Sequence, residues 1–139
     1  MEVTVLSARH LPKMDAFGTC DPFCEVRFCG QARRTPTLRS TYSPDWNALL
    51  RFHVPCARLA TPLELVVYDS DLLSRQFIGS HAVPAEFTQA LAARPGGWHC
   101  TRVCPLQSTR AVQVIGNDGQ PAAVTLAFRV LGGQSLQVP

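Results

Sequence analysis

PFCEVRFC, residues 22–29, alternates strictly: Phe23, Glu25 and Arg27 fall on one side of a period of two, and Cys24, Val26 and Phe28 on the other. Side chains alternate across a β-strand, so this stretch reads as a strand with one face in a core and one toward solvent. Working outward, residues 2–8 (EVTVLSA) are rich in β-formers. Residues 48–54 repeat the pattern, and residues 63–68 form an almost continuous apolar run suited to the centre of a sheet. Residues 98–106 and 124–131 supply two more strands, and Asn117-Asp118-Gly119 is a strong turn signal between residues 111–115 and the last of them. One helix is predicted near 84–93. Pro84 suits its first turn, Phe87, Ala90 and Leu91 follow at helical spacing, and Arg94-Pro95-Gly96-Gly97 stops it. Strands at this spacing, broken by Pro, Gly, Asp and Asn, predict an all-β fold, an antiparallel sandwich.

Composition bounds what such a fold does. At 139 residues, 46% hydrophobic and 17% charged, the chain is large enough for one domain with its own core. The net charge of +3 is too mild for a nucleic-acid footprint, though its sign suits an anionic membrane surface. No apolar run approaches the ~18–20 residues of a transmembrane helix. Glu2 and a strand pattern follow Met1 directly, so no signal peptide is expected. Six cysteines then read as free thiols in a reducing, cytoplasmic setting.

Two pairs of aspartates, Asp15/Asp21 and Asp69/Asp71, sit in loop-like stretches next to predicted strands. Carboxylates repel at roughly 4 kcal/mol for a 4 Å pair in partly screened surroundings, so a fold that gathers all four requires a cation. Oxygen donors with no histidine nearby point to a hard ion, and Ca²⁺ takes ~6–8 such oxygens. Other chemistries lack their residues. There is no G-x-S-x-G elbow, phosphate-cradling glycine loop or H-E-x-x-H, and His10, His53, His81 and His99 are scattered, so no catalysis is expected. Cys20, Cys24, Cys29, Cys100 and Cys104 with His99 contain no C-x₂-C pair for zinc.

Three blocks carry a resemblance. Leu11-Pro12-Lys13-Met14-Asp15, then Gly18, then Asp21-Pro22-Phe23, come first. Thr41-Tyr42-Ser43-Pro44-Asp45-Trp46-Asn47 follows, and Val67-Tyr68-Asp69-Ser70-Asp71 with Phe77-Ile78-Gly79 closes the set. In this order the chain resembles a C2 domain over residues 1–131, with 132–139 as a tail or linker stub. The resemblance implies an eight-stranded antiparallel sandwich with calcium-binding loops at one end. The chain begins on the strand that leads into the first aspartate loop and has a further strand at its C-terminus, which is similar to the permuted, type II arrangement.

What the resemblance implies for the site is specific. Asp15, Asp21, Asp69 and Asp71 carry over as calcium ligands, with the backbone carbonyl of Met14 beside them. The family's fifth acidic position is Gln76 here, a neutral and weaker donor. Four carboxylates supply −4, enough to neutralise two Ca²⁺, so one or two ions are expected, held at roughly 10⁻⁵–10⁻⁴ M without lipid. Phe17, Leu72 and Leu73 are apolar residues beside the aspartates and are the candidate membrane-inserting tips. At about 1.5–3 kcal/mol each they give roughly 4–9 kcal/mol gross, enough for reversible docking only. A basic stretch holding Arg33, Arg34 and Arg39 is a candidate lipid head-group site, with Pro36 marking an edge strand. The expected function is calcium-dependent, non-catalytic binding to anionic phospholipids at the peripheral membrane, as a monomer or part of a larger chain. The alternative is a calcium-independent module that docks other proteins.

Overall fold

The computed structural model describes residues 1–14, 19–54, 61–71, 73–93 and 99–130, so the expected tail at 132–139 lies outside the described residues. They build eight strands and one helix. The strands are β1 (Glu2–Arg9), β2 (Pro22–Phe28), β3 (Gln31–Arg34), β4 (Asp45–Arg51), β5 (Leu63–Ser70), β6 (Arg75–Val83), β7 (His99–Pro105) and β8 (Ala123–Arg129). Helix α1 (Ala85–Ala92) joins β6 to β7, with Pro84 at its N-cap. One sheet has the order β4-β1-β8-β7 and the other β3-β2-β5-β6, with every pairing antiparallel. The C-terminal strand β8 lies beside β1, with Arg9 opposite Ala123 and Glu2 opposite Arg129, as the permuted order requires.

The alternation read in β2 holds. Cys24, Val26 and Phe28 enter the core, where they meet Leu63, Leu65 and Val67 of β5 and Val3, Val5, Val124, Leu126 and Phe128 of the other sheet. Between β2 and β3, Cys29 and Gly30 take φ of 51° and 72°. Two consecutive positive φ values make the tight hairpin whose twist matches that of its strands. β3 ends at Arg34, so Pro36 falls after the strand and not in it.

β4 starts earlier than the sequence predicts, at Asp45 instead of residue 48, because the Pro44–Asn47 segment is already bound to β1. Ala8 N–H donates to Pro44 C=O at 3.0 Å, and the register shifts between Val5 and Ser7. Asn47, at φ 47°, takes the left-handed conformation at that irregularity, which asparagine tolerates better than most residues. Trp46 turns inward, and its indole N–H donates to Pro22 C=O at 3.2 Å, pinning β4 to the head of β2. Residues 111–115 do not form a strand. They lie in the long β7–β8 connection, which carries only isolated bridges, Gln107–Gln113 and Ile115–Pro121 among them.

At the β6/β7 edge, His81 Nδ1 meets Pro105 C=O at 2.9 Å, while its Nε2 is buried with no partner among the described residues. Burial lowers the His81 pKa and the nearby Arg102 guanidinium lowers it further, against the opposing pull of the Pro105 carbonyl. A histidine kept neutral by folding adds stability that is complete above its unfolded value near 6.5 and is lost as pH falls below that value toward the lower folded one. The thermal unfolding midpoint should therefore fall as pH drops below about 6.5, and His81→Gln should flatten the drop. An equally steep fall in the variant would place the acid sensitivity elsewhere.

Candidate calcium and membrane site

The β1–β2 connection, the residue 35–44 connection and the β5–β6 turn meet at one end of the sandwich, and Asp21 joins all three. Its N–H donates to Asp69 Oδ1 at 2.9 Å, its C=O accepts the Ser70 N–H at 2.9 Å, and its Oδ1 accepts the Ser40 N–H at 2.7 Å. The contact follows from register, since Pro22 of β2 lies opposite Asp69 of β5. Asp69 is not in a loop, as its sequence context suggests. It is a strand residue, 3% exposed, continuing the inward row of Leu63, Leu65 and Val67. Gln76 stands opposite it on β6, half-buried.

Asp71 is exposed and opens a turn in which its N–H donates to Ser74 C=O at 2.8 Å. Leu73 sits in that turn, 99% exposed. Met14 packs partly against the core, so the chain enters the Asp15 position from an anchored residue. Asp15, Phe17 and Leu72 lie outside the described residues. Among the described residues no three His, Cys, Asp or Glu side chains are grouped as a metal site. The structure brings Asp21 and Asp69 together, with Asp71 two residues further on.

Cys20, directly before Asp21, is the residue that sequence reasoning missed. It is buried at the base of the site, and burial, with the Asp69 and Asp21 carboxylates adding to it, pushes its thiol up to about 12. Sulfur is a soft donor, which hard cations do not favour. The donors left are oxygens, a set that fits a hard cation such as Ca²⁺. No spacing rule in the sequence marks Cys20. Its apolar-looking position before Asp21 was the only signal.

The arginines separate. Neighbours on a strand point to opposite faces, so Arg34 pairs with Glu25 on the outer face while Arg33 follows Val26. Arg33 sits over the Phe52 ring at 5.8 Å, and Arg34 over Phe23 at 4.6 Å. Arg39 is exposed and precedes Ser40, which places it at the aspartate end. The outer face around Arg34 holds an aromatic cluster of Phe23, Tyr68 and Phe77. Arg75 covers Tyr68 at 4.1 Å, and Arg27 donates to the Tyr68 hydroxyl at 3.0 Å. Glu25 accepts from Arg27 at 2.6 Å and from Arg75 at 3.4 Å, whereas Arg34 has no carboxylate partner among the described residues.

The family model for the C2 domain matches residues 1–101. This chain belongs to the C2 family. C2 domains are generally binding modules and not catalysts. Among curated relatives, this C2 domain is 31% identical to human Ras GTPase-activating protein 4B over 86% of its own length and 14% of that protein's. It is 33% identical to mouse synaptotagmin-4 over 75% of its length and 25% of that protein's. It thus spans a minor part of the relatives it matches. Among solved structures, a C2 domain of plant extended synaptotagmin 1 superposes with a TM-score of 0.69 at 20% identity, covering 91% of this chain and 89% of that one. At that identity the likeness concerns the fold. No helix among the described residues is long and apolar enough to cross a membrane.

Proposed function

We propose that this C2 domain binds one or two calcium ions through Asp15, Asp21, Asp69 and Asp71 and then docks peripherally on membranes rich in anionic phospholipid. The observation that carries this reading is the 2.9 Å contact of the Asp21 N–H with Asp69 Oδ1, which joins one member of each aspartate pair at the end where Leu73 projects. Ser40 and Asp21 each spend a backbone N–H on one of these carboxylates, which orients the oxygens before any ion arrives. Met14 would add a carbonyl oxygen and Gln76 a neutral, weaker one.

Bound calcium would supply positive charge that bridges the carboxylates to lipid phosphate. Leu73, with Phe17 and Leu72, would then enter the acyl boundary, each giving about 1.5–3 kcal/mol. Without the ion the carboxylates repel the anionic surface, so the aspartates themselves make docking conditional. Arg39 at the aspartate end would meet head groups first. Arg34, with no carboxylate to neutralise it among the described residues, offers a second contact on the outer face, and Arg33 belongs to a different face. The compartment in which this switch works is the cytoplasm, where calcium pulses are met by anionic inner-leaflet lipid.

Thermal unfolding in chelator and in about 1 mM calcium tests the reading directly. An ion held at roughly 10⁻⁵–10⁻⁴ M by the native state alone stabilises it by roughly 1.4–2.7 kcal/mol, a rise of a few degrees. No rise, together with no calcium-dependent sedimentation on vesicles, would overturn the calcium switch in favour of a calcium-independent protein-docking module.

A further inference from the structure

The long β7–β8 connection reaches the opening of the first aspartate loop and holds it at three points. Asn117 Oδ1 accepts the Lys13 N–H at 2.9 Å. Asp118 Oδ2 stands 2.6 Å from His10 Nδ1. Gly116 is pressed against the His10 carbonyl so closely that a Cβ added to it would collide with that oxygen. The turn that presents these groups is braced from within. Asp118 Oδ1 accepts the Gln120 N–H at 3.0 Å, Gly116 N–H donates to Gln120 C=O at 2.8 Å, and Gly119 N–H donates to Gly116 C=O at 3.0 Å. The Gln120 N–H, and after it His10, hold the Asp118 carboxyl below its ordinary value.

The receiving side shows why such bracing is needed. His10 has φ 62°, the left-handed region, which strains a residue that carries a side chain. A backbone in that state persists only where its surroundings over-determine it. Here Asp118 bonds its ring, Gly116 abuts its carbonyl, and the next N–H, of Leu11, donates to Tyr42 C=O at 3.1 Å. Lys13, gripped by Asn117, lies one residue before Met14 and two before Asp15.

We propose that Gly116, Asn117 and Asp118 are positioning residues: a clamp from the far end of the sequence that holds the entry to the first aspartate loop, at His10 and Lys13, and so sets calcium affinity. The proposal rests on the calcium reading above. Its physical basis is that a loop ordered before binding does not have to be ordered by it, which leaves more of the interaction energy for affinity.

Two variants separate the clamp from mere folding: Asn117→Ala removes the acceptor, and Asn117→Asp keeps an oxygen in its place. In the calcium-free protein, Asn117→Ala should speed exchange of the Lys13 amide by about tenfold while the Val5 and Leu126 amides in the core stay as slow as before. The calcium midpoint of the same protein should rise about threefold to tenfold. Asn117→Asp should restore the slow Lys13 exchange. An unchanged Lys13 amide in Asn117→Ala overturns the clamp, as does faster exchange that Asn117→Asp fails to rescue. A loosened amide with an unchanged calcium midpoint overturns its role in affinity. A parent protein that binds no calcium, alone or with vesicles, fails the calcium reading and the tuning with it, a result distinct from any change in the Lys13 amide.

Discussion

Asp71→Asn is expected to sediment with anionic vesicles no better in calcium than in chelator, while unfolding at the same temperature as the parent in chelator. The two halves of this result come from different parts of the residue. Asp71 uses its backbone N–H to close the turn with Ser74, and that bond is untouched by the substitution. Its side chain is exposed, so exchanging carboxylate for amide costs the fold little. The loss falls on the proposed ion. One of four negative charges disappears, and charge count is the main lever on calcium affinity for oxygen-donor sites. A weakening of about a hundredfold, roughly 2.7 kcal/mol, takes a site of roughly 10⁻⁵–10⁻⁴ M to roughly 1–10 mM. Vesicle binding that stays calcium-dependent at the parent's midpoint would remove Asp71 from the ligand set. Calcium-independent binding equal to that of the parent would sink the switch.

Phe128→Ala is the substitution expected to cost most stability. Phe128 is 1% exposed on β8, an interior strand of its sheet. Its inward face meets the core, and its ring stands edge-on to Phe87 of α1, with centroids 5.2 Å apart. Truncation removes the transfer energy of the ring, leaves a cavity that strands on both sides cannot collapse into, and strips α1 of its aromatic partner. Such changes cost about 3–5 kcal/mol, which lowers the unfolding midpoint by roughly 10–20 °C at this size. A loss under about 1 kcal/mol would mean that α1 moves in to fill the space.

Period-two alternation made the strands legible. PFCEVRFC alone predicts which side chains of β2 enter the core, and LELVVY marks β5 as interior. Boundaries were less visible where side chains, not periodicity, set them. Asp69 looks like a turn residue, yet cross-strand pairing with Pro22 and Gln76 keeps it in β5. The early start of β4 depends on the Ala8 N–H reaching Pro44 C=O, a contact between residues whose proximity only the folded chain creates. The same holds for the site. The candidate aspartates stand out in sequence as carboxylates next to predicted strands. Cys20 beneath them and the Asn117 grip on Lys13 do not, since a buried thiol resembles any small apolar residue and an N-D-G turn resembles any other. Arg33 and Arg34, adjacent in sequence, read as one basic patch, and pleating sends them to different faces.

The pairing of β8 with β1 has a consequence for how such a domain is carried. Glu2 lies opposite Arg129 at one end of the sandwich, and Arg9 lies opposite Ala123 at the other, where the aspartate loops begin. Both terminal strands therefore open onto the same pole, the one facing away from the loops. Polypeptide attached at either side would leave in the same direction, like two cords tied to one handle. Cargo spliced on by either route would trail behind the proposed docking end and not block it, so such a module could be moved between hosts without redesigning that end.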